Sequence, residues 1–167
     1  MTTPLVRRAR VDDASAFARI WLDMCRYYAD LARDNFRIPS GEGLAEWFEG
    51  LLTPPGSEDE IKLACELDDL VVGFLDGELI GPAEDAERQM VIAMSLRRLS
   101  IGALAVERSS WRRGCGTTLL EAAEEWGRER GAEAVTLVTY ERSPVSVPFY
   151  ERGMGYSRGG LSFHKDL

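Results

Sequence analysis

The sequence predicts a mixed α/β (α+β) fold of three layers, in which helices cover both faces of a central sheet of about six or seven strands. Three observations predict it: two amphipathic helices come first, an aliphatic hairpin follows, and a strand–helix–strand unit comes next. The hairpin supplies antiparallel pairs and the crossover a parallel pair, so the sheet must be mixed. At 167 residues, the chain fits one domain spanning 1–167.

The N-terminal half is predicted to contain a strand, two helices and a hairpin. Residues 6–11 form the strand, and Asp12 or Asp13 offers a side-chain oxygen to cap the helix that starts at Ala14. Apolar residues at three- and four-residue steps define this helix and a second one, which starts after Gly41 and ends at the Thr-Pro-Pro-Gly run. The hairpin strands are residues 61–67 and 70–80.

The C-terminal half is predicted to alternate strands and helices. Residues 81–87 form an acidic turn, and residues 89–94 either lengthen the hairpin or belong to the next strand. The remaining strands are 99–106, 134–140 and 156–165, and the helices are 116–130 and a short one around 145–152.

A glycine-containing turn joins the strand 99–106 directly to an amphipathic helix. Gly114 and Gly116 allow the backbone N–H groups from Arg112 to Thr117 to converge at a helix N-terminus, where the helix dipole favours an anion. Arg112 and Arg113 add cationic donors beside it. The turn therefore predicts a site for a diphosphate.

Two common nucleotide motifs do not match this turn. A Walker loop requires a lysine after its last glycine, and none follows here; a Rossmann fingerprint requires a third glycine where Leu119 stands.

Residues 111–120, read W-R-R-G-C-G-T-T-L-L, resemble the acyl-coenzyme A motif of the GNAT acetyltransferase superfamily, [QR]-x-x-G-x-[GA]. Trp111 departs from the motif, which has Gln or Arg at its position. The resemblance implies the acyl-CoA N-acyltransferase fold, with acetyl-CoA as co-substrate. It implies that the coenzyme's diphosphate is held by the turn and its pantetheine arm by the preceding strand. The coenzyme-binding residues are then Leu104, Ala105, Val106, Arg112, Arg113, Gly114, Cys115, Gly116 and Thr117.

Residues 143–156 resemble a second block of the same family, N-x-x-A-x-x-F-Y-x-x-x-G-F, with Phe149-Tyr150 as the matching pair. Ser143 replaces the motif's Asn and is counted with the coenzyme-binding residues. The resemblance implies that the Tyr150 phenol protonates the departing thiolate of coenzyme A, and that an amine attacks the thioester directly without a metal.

The general base is left open. A lysine-like amine with a pKa near 10.4 costs roughly 4.6 kcal/mol to deprotonate at pH 7, yet residues 99–106 contain no carboxylate where many relatives place a glutamate. Glu107, Glu141 or a relay of waters and backbone carbonyls are the candidates. An N–H near Leu104 or Val106 is expected to stabilise the oxyanion.

The cysteines, the histidine and the net charge do not indicate a different reaction or partner. Cys115 is expected to pack rather than act as a nucleophile, and His164, the only histidine, to be structural or exposed. A net charge of -8 disfavours binding to nucleic acid. No apolar stretch is long enough to span a membrane. The three cysteines, an odd number, fit the reducing cytoplasm. The family resemblance favours a homodimer.

The acceptor is not identified by the sequence, because both motifs concern the acyl donor. The alternative function is a non-catalytic, regulatory module that binds acyl-CoA, motivated by Trp111 and by the strand without a carboxylate.

Overall fold

The structure is a computed structural model that describes residues 3–54, 56–160, 163 and 165. The elements follow the predicted order up to the last helix, with boundaries shifted by a few residues. The strands are β1 (Leu5–Arg8), β2 (Glu60–Leu67), β3 (Leu70–Ile80), β4 (Arg98–Val106) and β5 (Ala134–Leu137). The helices are α1 (Ala14–Leu31), α2 (Leu44–Leu52), α3 (Cys115–Glu129) and α4 (Ser146–Pro148), which continues into a π-helical turn, Phe149–Gly153.

The sheet is mixed, as predicted. Its strand order is β1-β2-β3-β4-β5, with antiparallel pairs among the first four strands and one parallel pair, β4 with β5. Helix α3 forms the crossover that a parallel pair requires. The three-layer α/β fold is therefore confirmed.

The described residues form five strands, fewer than the six or seven predicted. Residues 89–94 lie in an exposed loop containing two 3-10 turns, where they have no cross-strand partner. Of the predicted strand 156–165, residues 156–160 are in no strand, which fits the Gly159-Gly160 pair. His164 lies outside the described residues.

The expected cap of α1 is also absent. The carboxylate of Asp13 is buried and accepts two hydrogen bonds from the Arg7 guanidinium at 2.8 Å and one from the Arg10 N–H at 2.7 Å. Its side chain makes no capping bond to α1. A buried carboxylate is stabilised more by a bidentate arginine than by an exposed cap, and this pairing anchors the start of α1 to β1.

Both faces of the sheet carry helices, as the apolar stripes predict. On one face, Phe17 of α1 and Phe48 of α2 pack on Phe74 of β3, and the Phe17 and Phe74 rings stack with centroids 4.5 Å apart. On the other, α3 buries Leu119, Leu120, Ala123 and Trp126. Gly127 lets α3 approach β4, since a Cβ there would lie 3.2 Å from a methyl carbon of Leu99.

The chain divides into two compact units, Met1–Leu137 and Val138–Leu167. The first contains the sheet with α1 to α3, and the second contains α4 and the π-helical turn. The single domain over 1–167 stays a prediction. No helix among the described residues has the length and apolar character needed to cross a bilayer.

Candidate coenzyme-binding and active site

The turn before α3 has the backbone conformation that an anion cradle needs. Gly114 is the N-cap of α3 with φ 88°, and Arg112 has φ 60°. A non-glycine residue in this left-handed region costs roughly 1–2 kcal/mol, so the Arg112 backbone is held in a conformation it does not prefer. Such strain is characteristic of ligand-binding turns.

The amides of residues 112–117 are unpaired within the part of the chain that the structure describes. The Trp111 N–H donates to the Arg108 carbonyl at 3.2 Å, and the next bonded amide is that of Thr118, which donates to the Gly114 carbonyl at 3.0 Å. The first N–H groups of any helix lack intrahelical acceptors. Here the glycine turn extends this run of free donors upstream, at the positive end of the α3 dipole.

The two arginines of the turn differ in their partners. The Arg113 guanidinium donates to the Asp68 carboxylate at 2.9 Å, in the turn between β2 and β3. Both side chains are about half exposed, and such surface pairs contribute roughly 0–1 kcal/mol, so a diphosphate could displace Asp68. The exposed Arg112 forms no ion pair with any described residue. Both cations are therefore accessible to an anion at the turn.

Strand β4 has an unpaired edge next to this turn. Its parallel pairing with β5 covers Arg98 to Ile101 only, whereas its antiparallel pairing with β3 continues to Val106. Gly102 is skipped in the register, which makes it a β-bulge. Residues 103–106 thus pair on one side alone among the described residues, and the other edge can accept an extended ligand.

The alternation of backbone groups shows which residues face the open edge. The Glu107 N–H donates to the Val72 carbonyl of β3 at 2.8 Å. Because successive residues of a strand direct their N–H and C=O groups to opposite edges, Val106 and Leu104 present theirs to the open edge, and Ala105 faces β3. The two positions expected to supply the oxyanion N–H are therefore the two that face outward.

Trp111 uses one of these outward groups. Its indole N–H donates to the Val106 carbonyl at 2.7 Å, and its ring packs edge-on against Tyr27 of α1 with centroids 5.1 Å apart. The Val106 N–H is not consumed by this contact. Trp111 therefore fixes the turn to α1 and to the end of β4.

Replacing Trp111 with phenylalanine should reduce the free energy of unfolding by about 1 kcal/mol, because the ring contact with Tyr27 remains while the half-buried Val106 carbonyl loses its donor. Urea denaturation measures this. The matched control is Trp47→Phe, since the Trp47 side chain is 52% exposed. A loss for Trp111→Phe no larger than that of the control would contradict a structural role for the indole bond.

Two ion pairs fix the segment between β4 and the turn. Glu107 pairs with Arg19, whose guanidinium also donates to the Val71 carbonyl at 2.8 Å. Asp23 accepts from both the backbone and the side chain of Arg108, at 2.8 and 2.9 Å. The Glu107 carboxylate is therefore engaged in holding α1, which weakens its candidacy as general base.

Cys115 is the first residue of α3 and is 1% exposed. It lies next to the buried Cys65 of β2, and burial, followed by the neighbouring Cys115, raises the pKa of the Cys65 thiol to about 12. This environment favours the neutral form of the Cys65 thiol. The position fits the packing role expected for Cys115.

The second unit contains the other predicted residues. Ser143 is buried, and its hydroxyl accepts a hydrogen bond from the Ser146 N–H at 3.0 Å, so it fixes the first turn of α4. Tyr150 lies in the π-helical turn, with its ring 5.1 Å from that of Phe149 and 5.9 Å from that of Tyr156. Glu141 is half exposed beside Arg142.

Among the grooves formed by described residues of the first unit, two lie near β2. The larger, of about 750 Å³, lies beside β2 and the end of α2, and Arg8 and Arg130 are among its lining residues. The smaller, of about 440 Å³, lies over β2, β3 and β4 on the face that carries α2. It contains Asp76, a residue that the sequence reasoning missed. Among the described residues, no group of three His, Cys, Asp or Glu side chains is arranged to hold a metal ion.

Comparison with known proteins identifies the same family as the motifs do. The Acetyltransferase (GNAT) family matches residues 21–156. No curated protein matches the sequence.

Solved structures of similar fold cover almost the whole chain. A mutant of protein BH1408 from Bacillus halodurans has a TM-score of 0.82 at 18% identity, covering 98% of this chain and 99% of that one. An aminoglycoside acetyltransferase from an uncultured soil metagenomic sample, in complex with sisomicin, has a TM-score of 0.65 at 19% identity, with 98% and 96% covered. A ribosomal-protein-alanine N-acetyltransferase from Brucella melitensis biovar Abortus 2308 has a TM-score of 0.64 at 16% identity, with 99% of both chains covered.

Proposed function

Because the chain belongs to the GNAT acetyltransferase family, we propose that it transfers the acetyl group of acetyl-CoA to a primary amine. The observation that carries the proposal is the run of unpaired amides from Arg112 to Thr117 at the head of α3, beside the open edge of β4. The unpaired amides suit the diphosphate of coenzyme A, and the open edge of β4 suits its extended pantetheine chain.

The donor is held by backbone groups. The amides of 112–117 bind the diphosphate, with Arg112 and Arg113 as cationic partners. The pantetheine amides pair with the outward N–H and C=O of Leu104 and the outward N–H of Val106, while Ala105 supports them through its pairing with Phe74. An outward N–H of the same two residues donates to the thioester oxygen, and this bond strengthens as the oxygen becomes an oxyanion.

Group transfer then needs proton transfers at the acceptor nitrogen and at the leaving sulfur. The ammonium nitrogen loses one proton before it attacks the thioester carbon and a second as the C–S bond breaks. The family match supports Tyr150 as the donor of a proton to the thiolate, since a phenol with a pKa near 10 can protonate a thiolate whose thiol has a pKa near 8.5. Ser143 orders the start of the Tyr150 segment and is proposed to contact the coenzyme.

The experiment is a turnover assay with acetyl-CoA that follows free thiol and identifies the acetylated product by mass spectrometry. The acceptor panel should include spermidine, lysine, sisomicin and a peptide that begins with alanine, since the similar structures include acetyltransferases named for an aminoglycoside and for a ribosomal-protein alanine. Thiol release matched by an acetylated amine is expected. Binding of coenzyme A without transfer to any acceptor would favour the regulatory module instead.

The proposed setting is the cytoplasm, whose reducing conditions suit the free thiols of Cys25, Cys65 and Cys115. We propose that the protein forms a homodimer and that neither nucleic acid nor a membrane is its partner. Gel filtration with light scattering tests the dimer.

A further inference from the structure

We propose that Asp76 of β3 is the general base of the transfer, accepting the proton of the acceptor's ammonium group in the 440 Å³ groove over β4. This assignment rests on the proposed function. It supplies the carboxylate that β4 itself lacks, and it places the amine on the face of the sheet covered by α2.

Asp76 projects from the strand next to β4. Its Cα pairs with Ala103, across the bulge at Gly102. A Cβ on Gly102 would lie 3.2 Å from the Asp76 Oδ2 atom, so the carboxylate lies over this glycine. The absence of a side chain at position 102 leaves the space that the carboxylate occupies.

The same face of β3 leads from the aromatic core into the groove. Phe74, two residues before Asp76, packs against Phe17 and Phe48, and residues of the C-terminal half of α2 line the groove. Asp76 is thus at the boundary between packed aromatic rings and an opening large enough for a small amine.

The carboxylate is close to the expected position of the thioester. Gly102 precedes Leu104 by two residues, which corresponds to roughly 7 Å along a strand. The Leu104 N–H faces the open edge where the acyl group is proposed to lie. An amine between the two, directly or through one water, can reach both the Asp76 oxygen and the acyl carbon.

The Asp76 carboxylate is available as an acceptor. It takes no hydrogen bond from a described residue; its nearest cation is Lys62, whose Nζ is 3.8 Å from Oδ1. Lys62 lies closer to Glu60, with which it forms the shorter ion pair. The Asp76 side chain retains 49% of its accessible surface, so an acceptor can reach it.

The other carboxylates of the first unit fit the role less well. Glu78 pairs with Ser100, four residues before Leu104, which is roughly 13 Å along the strand. Glu60 is engaged by Lys62, and Glu107 by Arg19. With Glu60, Asp76 and Glu78 against one lysine, the groove favours a cationic acceptor.

The surroundings of Asp76 also raise its basicity. Partial burial raises its pKa above the usual value; Lys62 opposes this, and Glu60 and Glu78 add to it. The groove residues from α2, its C-cap and β4 carry no charge; they are Gly50, Leu51, Thr53, Ser100 and Gly102. A carboxylate with a raised pKa is a stronger base than an ordinary aspartate and remains ionised above that pKa.

The proton balance closes with the two groups now assigned. The ammonium nitrogen gives one proton to Asp76, forms the C–N bond, and gives up its second proton as the tetrahedral intermediate collapses. The C–S bond breaks, and the thiolate takes the proton of Tyr150. The second nitrogen proton passes to water, a proton from solvent restores the Tyr150 phenol, and Asp76 releases its own proton to solvent.

The first test is the variant Asp76→Asn, assayed with acetyl-CoA and the best acceptor of the panel. We expect kcat/KM to fall by about 10²- to 10⁴-fold, with the affinity for coenzyme A in calorimetry unchanged. The melting temperature should not fall, since a neutral amide replaces a carboxylate whose charge burial disfavours. The control Glu121→Gln neutralises an exposed carboxylate on α3 and should leave all three values unchanged.

The second test uses the pH profile, which a purely structural residue would not move. In the wild type, kcat/KM should fall as the pH drops through the pKa of Asp76. Lys62→Met removes the positive charge and should shift this acid limb to higher pH. Glu78→Gln removes a negative charge and should shift it to lower pH.

The outcomes separate this inference from the function beneath it. A wild type that acetylates no acceptor would overturn both. A wild type that turns over, together with an Asp76→Asn variant within about threefold of it, would overturn the role of Asp76 alone. If Asp76→Asn does not fold, the pH profiles of Lys62→Met and Glu78→Gln decide. Shifts of the acid limb in opposite directions support the inference, and an unmoved acid limb overturns it.

Discussion

Replacing Gly114 with valine should weaken the binding of coenzyme A by about two orders of magnitude or more. Gly114 has φ 88°, a conformation that a β-branched residue strongly disfavours. Relaxing it would turn the amides of the cradle away from the diphosphate. The loss of two hydrogen bonds to a charged group, at roughly 1.5–3 kcal/mol each, accounts for the expected size. Titration calorimetry with coenzyme A measures the affinity.

Gly43→Val is the matched control, because Gly43 is also the N-cap of a helix with positive φ, 70°, and a Cβ there would meet no atom within 4 Å. It should lose stability for the same backbone reason and retain the affinity for coenzyme A. Equal affinities of wild type and Gly114→Val would contradict the placement of the diphosphate at this turn.

The Tyr150→Phe variant should lower kcat by about 10²-fold and leave the affinity for coenzyme A unchanged. The substitution keeps the ring contacts with Phe149 and Tyr156 and removes the hydroxyl whose proton the thiolate is proposed to take. Pre-steady-state detection of free thiol measures the step itself.

Tyr156→Phe is the comparison variant, since it removes a phenol hydroxyl from the same unit without removing the proposed acid. Its kcat should stay within about twofold of the wild type. A Tyr150→Phe enzyme with the kcat of the wild type would remove Tyr150 from the mechanism.

The fold could be predicted because its signals are local. Apolar periodicity marked α1 and α3, and the Asp68-Asp69 turn, with both φ values positive, joined two aliphatic runs into the β2–β3 hairpin. The element order and the mixed sheet followed from them. Residues 89–94 and 156–160 form no strand, because an apolar run becomes a strand only where a neighbouring strand can pair with it.

The glycine turn before α3 could be predicted for the same reason. Its glycines, its arginines and its helix are contiguous in sequence, so the spacing alone indicated the unpaired amides. The sequence did not show that Arg113 would pair with Asp68 or that the Trp111 indole would bond to the Val106 carbonyl. Both contacts depend on which side chains the fold brings to the turn.

Asp76 escaped the sequence reasoning because its role depends on register. The sequence offers Glu107 and Glu141 as carboxylate candidates because both lie at the ends of predicted strands, and β4 itself contains no carboxylate. The cross-strand neighbour of the Gly102 bulge is set by the β3–β4 pairing, and a loop of 17 residues, 81–97, separates the two strands. Neither the bulge nor the register can be derived from that loop's composition.

The central claim is that backbone amides at the head of α3 hold the diphosphate of coenzyme A. A crystal structure of the protein with coenzyme A tests it most directly. The account predicts diphosphate oxygens within about 3.2 Å of amide nitrogens between Arg112 and Thr117. A coenzyme bound elsewhere, with these amides bonded to water or protein alone, would contradict it.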